Sequence, residues 1–167
     1  TTFALSVYGL RTDFEGDIFF EKQNSKSFNQ KQWAAMRQTS LSVVFQDLRL
    51  FPQLTARENL LLKQKLTGDD SVLLIEEMAF KLDVTHKLDQ KVQYLSLGQQ
   101  QRFAIIRALL QPFKWLLLDE PFSHLDNENV QRACGLISEV CAQNNAGLFV
   151  TSLEDNHSFH YTRTVFI

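Results

Sequence analysis

Two adjacent carboxylates, Asp119 and Glu120, end the apolar run Trp115-Leu116-Leu117-Leu118 and precede Pro121. A buried strand gains no stability by finishing this way, because neighbouring acids cost desolvation and repel each other unless a cation or proton sits beside them. A divalent metal held by Asp119, directly or through water, would offset that cost. Glu120, one residue on, could then polarise a water aimed at a phosphoryl group. Two acids in a solvated loop are the plain alternative, since short motifs also match by chance. A second feature is Leu95-Ser96-Leu97-Gly98-Gln99-Gln100-Gln101-Arg102, leading into a helix with Phe103, Ile106, Leu109 and Leu110 on its apolar face. Ser96 is a natural N-cap. A Ser hydroxyl, free backbone N–H groups and a glycine at a helix start suit an anionic phosphate. An ordinary capped helix explains the same residues.

The elements that must position these groups are legible as alternating periods. Phe3 to Leu10 reads as a short helix ended at Gly9, followed by strand-like Asp17-Ile18-Phe19-Phe20 and then a polar stretch. Leu41-Ser42-Val43-Val44-Phe45 is the pattern of a buried strand, and it delivers Gln46 at its C-terminal end. From Thr55 to Leu95 the period becomes helical: Thr55-Ala56-Arg57-Glu58 has capping-box spacing, and a second helix is predicted from about Asp70 to Leu82. Strand character returns at Trp115 to Leu118, a helix starts after Asp126, a strand covers Leu148 to Thr151, and Thr164 to Ile167 is predicted as a last strand. Strands separated by helices imply a parallel sheet, whose ligand crevice lies beyond the carboxyl ends of the strands. Gln46, Asp119, Glu120 and Ser152 are all predicted at such ends, so one crevice could hold them.

The 167 residues suit one domain, and 44% hydrophobic residues with fourteen Phe can bury a substantial core. A net charge of -2 supplies no positive field for a nucleic-acid backbone, so no nucleic-acid partner is expected. Charged or amide residues interrupt every apolar run before it could span a bilayer. The opening residues lack the basic flank of a secretory signal. Cys134 and Cys141 lie about 10 Å apart along a helical pattern, beyond disulfide reach, and suit a reducing compartment. His86 and His160 have no metal-ligand spacing, and Asn156-His157-Ser158 fits a glycosylation sequon by coincidence.

Taken in order, Val44-Phe45-Gln46-Asp47, the octet Leu95 to Arg102, the Leu-rich strand ending Asp119-Glu120-Pro121, and Phe122-Ser123-His124-Leu125-Asp126 resemble the ATP-binding cassette (ABC) ATPases. The resemblance implies an α/β fold like that of P-loop NTPases, a mainly parallel sheet flanked by helices with an inserted all-helical signature subdomain. Residues 1–54 and 112–167 would then be core portions and 55–111 the helical part. It makes the octet the signature motif, Asp119 and Glu120 the Walker B aspartate and catalytic glutamate, Gln46 the Q-loop glutamine and Asp126 part of the D-loop. Counting back from Gly9 and Gly16-Asp17-Ile18 puts Thr1 at the Ser/Thr of the P-loop and Thr2 just after it. The chain is therefore expected to be N-terminally truncated just after the Walker A lysine, its glycines and early strands lying outside. ATP and Mg²⁺ are the implied cofactors, with Thr1, Gln46 and Asp119 at the metal. Thr1 and Thr2 would contact the nucleotide, and Ser96, Leu97, Gly98, Gln99 and Asp126 would serve the one held by a partner.

That partner is a second ABC ATPase domain, paired head to tail, and a transmembrane permease subunit is expected to dock near Gln46 to Asn59. Asp47-Leu48-Arg49-Leu50-Phe51-Pro52-Gln53-Leu54 is apolar enough for such a groove, and also for local packing. The implied location is the cytoplasmic face of the cell membrane. Two positions depart from the family pattern: Leu97 stands where the signature usually has Gly, and Ser152 where a switch histidine is usual. Ser152 can donate a hydrogen bond but cannot carry an imidazolium charge. A transporter ATPase and a degenerate cassette that binds without hydrolysing both remain open. A chromosome-maintenance relative is disfavoured, because only fifty positions separate Gln46 from Ser96 and no heptad array fits between them.

Overall fold

The computed structural model describes residues 2–67, 72–152, 159 and 161–165. Three strands carry the site: β3 (Leu41–Val44), β4 (Trp115–Asp119) and β5 (Gly147–Thr151), preceded by a two-stranded antiparallel ribbon of β1 (Phe19–Phe20) and β2 (Gln23–Asn24). The order is β3-β4-β5 and all three run parallel, with Val44 opposite Leu118, and Leu118 opposite Val150. Their carboxyl ends therefore fall side by side, as the alternation of strands and helices predicts.

Side chains alternate across this sheet and demand cover on both faces. Val44, Leu116 and Leu118 point into the larger core, built with α3 (Ala56–Thr67), α4 (Val72–Lys81), α5 (Leu97–Leu109) and α6 (Asn127–Gln143). Leu41, Val43, Phe45 and Leu117 point the other way, onto α1 (Thr2–Val7) and α2 (Gln30–Thr39) through Leu5, Val7, Trp33 and Met36. Ser42 is the polar exception on β3; it is buried, and its hydroxyl donates to the Ala108 carbonyl of α5 at 2.6 Å. Phe103, Ile106, Leu109 and Leu110 are all buried, as their spacing requires.

Helix α2 falls where the sequence reads only as a polar stretch. None of its residues is fully buried, so periodicity is weak; its start is set by a capping box between Asn29 and Gln32. Gly9, which ends α1, takes φ 71° and faces Trp33 so closely that a Cβ would lie 2.5 Å from the ring. Thr55 and Glu58 form the expected reciprocal cap before α3, at 2.7 and 3.1 Å. The predicted start of the next helix at Asp70 lies outside the described residues. After α4 the helical period gives way to two 3₁₀ turns, Thr85–Lys87 and Val92–Tyr94, and Lys81 ties α4 to α6 through Glu139 at 2.7 Å. The predicted strand at Thr164 to Ile167 is corrected: Thr164 and Val165 are exposed and pair with no described strand, while 166–167 lie outside the described residues. Only Phe19 and Phe20 of the predicted strand Asp17 to Phe20 pair, because the ribbon is two residues long.

Candidate functional site

Asp119 is the last residue of β4 and is buried. Its Oδ1 accepts a hydrogen bond from the Thr151 hydroxyl at 2.7 Å, across the register pair that joins β4 to β5. Glu120 follows at φ 49°, a left-handed conformation that costs a residue with a Cβ about 1–2 kcal/mol. Three hydrogen bonds hold it there. Its N–H donates to the Thr151 carbonyl at 2.9 Å, and its own carbonyl accepts from the Gln101 amide at 3.0 Å and the Ser123 hydroxyl at 3.3 Å. Ser152, half-buried, follows Thr151 at the end of β5.

Gln46 lies just beyond β3, exposed, before a turn in which Leu48 (φ 56°) and Arg49 (φ 49°) are both left-handed. Their carbonyls accept hydrogen bonds from the Arg107 guanidinium, reaching across from α5, the bond to Leu48 being 2.6 Å long. Burial lowers the pKa of Arg107, opposed by the charges of Tyr8 and Asp47. Arg49 stacks over the Phe45 ring at 3.7 Å. The turn places Gln46 and Asp119 on one cleft of about 290 Å³, which Leu5, Phe45, Asp47 and Arg49 complete. Glu120 and Ser152 do not line that cleft, so the single crevice predicted for all four residues holds two of them. A carboxylate and a side-chain amide oxygen form the hard-oxygen donor set that suits Mg²⁺. Among the described residues no group of three His, Cys, Asp or Glu could hold a metal by itself, and His160 lies outside the described residues.

Thr1 lies outside the described residues, as do His157 and the sequon at Asn156. Thr2 begins α1 and is exposed, its hydroxyl accepting from Arg11 at 3.3 Å. Ser96 caps α5, accepting from Gln99 N–H at 3.2 Å while the Gln99 side chain accepts from Ser96 N–H at 3.0 Å. Leu97 projects as an exposed residue beside this cap. Gly98 is needed for a contact within the chain: a Cβ there would sit 2.7 Å from the His124 carbonyl. Ser96 to Gln99 do not line the Gln46–Asp119 cleft. Asp126 caps α6, and hydrogen bonds from the Asn129 backbone and side chain hold its carboxyl below the usual range.

Gln101, Arg107 and Thr151 organise the site without having been singled out by type. Gln101 did leave a signal, because it shares the helical stripe of Ala104, Ile105 and Ala108, all buried. A polar residue in such a stripe needs a partner.

A family model described as ABC transporter matches residues 1–123. The glucose import ATP-binding protein GlcV of Saccharolobus solfataricus is 37% identical over 155 residues, covering 91% of this chain and 44% of that protein. The lipoprotein-releasing system ATP-binding protein LolD of Saccharophagus degradans is 32% identical over 138 residues, covering 81% of this chain and 60% of its own length. The chain thus spans about half the length of these curated relatives. Among solved structures, the dimeric ATP-binding cassette MJ0796 bound to ADP and Pi superposes with a TM-score of 0.81 at 24% identity, over 92% of this chain and 69% of that one. A second dimeric MJ0796 structure, of a bacterial ABC transporter cassette, gives 0.75 at 26%, over 90% and 68%. With the strand order, the Asp119 strand end and the capped helix α5, these matches make the chain an ATP-binding cassette domain belonging to the ABC transporter family.

Proposed function

We propose that the chain is the ATP-binding and ATP-hydrolysing part of a transporter subunit, in which residues 1–54 and 112–167 form the nucleotide core and 55–111 the helical signature part. The observation that carries this is the meeting of Gln46 and buried Asp119 in one cleft at neighbouring strand ends, with Glu120 next in the chain. Gln46, Asp119 and the Thr1 hydroxyl would hold Mg²⁺, and Thr1 and Thr2 would contact the nucleotide. When bound, the ion would supply positive charge that offsets the charge of the phosphates. Glu120 orients and deprotonates the attacking water as general base. Ser152, at the switch position, donates a hydrogen bond to the phosphoryl end.

Ser96 and Leu97 are exposed and Gly98 and Gln99 half-buried at the start of α5, a placement suited to a nucleotide presented by a second cassette. Head-to-tail pairing, with Asp126 at the contact, follows as the proposed working state. Phe51, Leu62 and Leu66 are exposed around a cleft of about 270 Å³ that also includes Lys63 and Asn59, and a membrane permease is proposed to dock there. Burial and the Arg107 charge lower the Lys63 pKa. Among the described residues no helix is long and apolar enough to cross a membrane. The proposed location is the cytoplasmic face of the membrane, beside that permease.

The second reading, a cassette that binds nucleotide without hydrolysing it, is favoured by Leu97 and Ser152 at the two departures. MgATP turnover by the complete native polypeptide decides between them. Hydrolysis abolished by Glu120→Gln, with an ATP-dependent dimer accumulating on sizing, is the expected result. No hydrolysis by the unsubstituted protein, even beside its permease, would put the binding module in its place.

A further inference from the structure

We propose, resting on the ATPase function above, that Gln101 is a positioning residue that ties the Glu120 backbone to the signature helix. The proposed general base would then follow the surface that meets a partner's nucleotide. Gln101 lies in the second turn of α5 and is 1% exposed. Its amide is divided between two backbone groups of one turn: Nε2 donates to the Glu120 carbonyl at 3.0 Å, and Oε1 accepts from His124 N–H at 3.1 Å. One partner is a carbonyl and the other an N–H, so only one orientation of the amide satisfies both. Gly98, three residues earlier on the same helix face, approaches the His124 carbonyl so closely that no side chain fits. Helix and turn are seated together by a hydrogen-bonded fork and a bare backbone contact.

The fork lands on the residue that needs holding. Glu120 is left-handed, and such a conformation persists only where its surroundings over-determine it. On its N–H side Thr151 anchors it to the sheet; on its carbonyl side Gln101 anchors it to α5. Ser96 caps the same helix five residues before Gln101. A displacement of the signature end of α5 is therefore passed to the backbone of Glu120 through a buried side chain.

The test is the isosteric variant Gln101→Glu in the complete native polypeptide. The new carboxylate still accepts from His124 N–H, but while ionised it has no proton for the Glu120 carbonyl. Acidification restores a donor, and burial beside a carbonyl raises the pKa of the introduced group. At neutral pH kcat for MgATP should fall by about ten- to a hundredfold, with KM for ATP changed less than about twofold. The ratio of variant to wild-type kcat should climb as pH is lowered from 8 to 6. A merely structural role predicts instead that lost activity tracks lost folded protein, so that kcat per folded molecule stays at the wild-type value at every pH. Should that variant not fold, Gln101→Asn, one methylene short of both partners, should lower kcat without pH recovery and should speed hydrogen exchange at the His124 amide. If the unsubstituted protein hydrolyses no MgATP, the ATPase function and this role fall together. Normal turnover in the unsubstituted protein, with kcat unaltered in either variant or with no recovery on acidification of Gln101→Glu, overturns the role of Gln101 alone.

Discussion

A methyl group added to Gly98 would meet the His124 carbonyl at 2.7 Å, and the obstacle is backbone, which cannot rotate away. Gly98→Ala is therefore expected to destabilise the domain by about 1–3 kcal/mol, the usual cost of overpacking, measurable as a lowered urea midpoint at unchanged m-value. Cys141 offers a pH-dependent counterpart. Burial pushes its thiol up to about 11 from the ordinary 9.0, so the folded state disfavours the thiolate. Its contribution to stability is complete below pH 9 and is lost as pH rises towards 11, because the unfolded chain releases the proton first. Chemical denaturation at pH 8, 9 and 10 should show stability falling over the upper interval, and Cys141→Ala should flatten that fall. Iodoacetamide should label Cys134 and Cys141, both buried and free of disulfide, only on unfolding.

At the scale of the element, α5 does most to join the parts. It buries Phe103, Ile105 and Ile106 completely, receives the Ser42 hydroxyl, and sends Gln101 and Arg107 to turns on two different strands. Ile106→Ala should cost about 2–5 kcal/mol in equilibrium unfolding, since it opens a cavity in the larger core. Strands β3 and β4 were legible because the whole of β3 and all of β4 except Trp115 are buried, so their apolar runs are unbroken. The capped starts of α3, α5 and α6 were legible from Thr55, Ser96 and Asp126, because a cap is a local interaction written within four residues. Helix α2 was not, since its polar sequence supplies no stripe, although Asn29 and Gln32 carry its cap. Gln46, Asp119 and Glu120, the proposed site residues, were singled out from motif order. What holds them could not be, because Arg107 acts across 59 residues on the Leu48 carbonyl and Gln101 across 19 on that of Glu120. No local pattern encodes a side chain that serves a distant carbonyl.

For the whole molecule, nucleotide binding should appear as stability. At a MgATP concentration about a hundred times Kd, mass action adds about 2.7 kcal/mol to the folded state of the complete polypeptide, read as a raised Tm. Asp119→Asn, or EDTA in place of Mg²⁺, should remove most of that increment, while EDTA alone leaves the nucleotide-free Tm unchanged. Gln101 and Arg107 are six positions apart on one helix, so about 9 Å of rise and a fixed rotation separate the fork under Glu120 from the clamp under Leu48. One codon inserted between them would turn one hold by about 100° against the other and lengthen their spacing by about 1.5 Å. Lineages descended from this gene should therefore gain and lose residues elsewhere, while the stretch from Gln101 to Arg107 keeps its length even as its letters change.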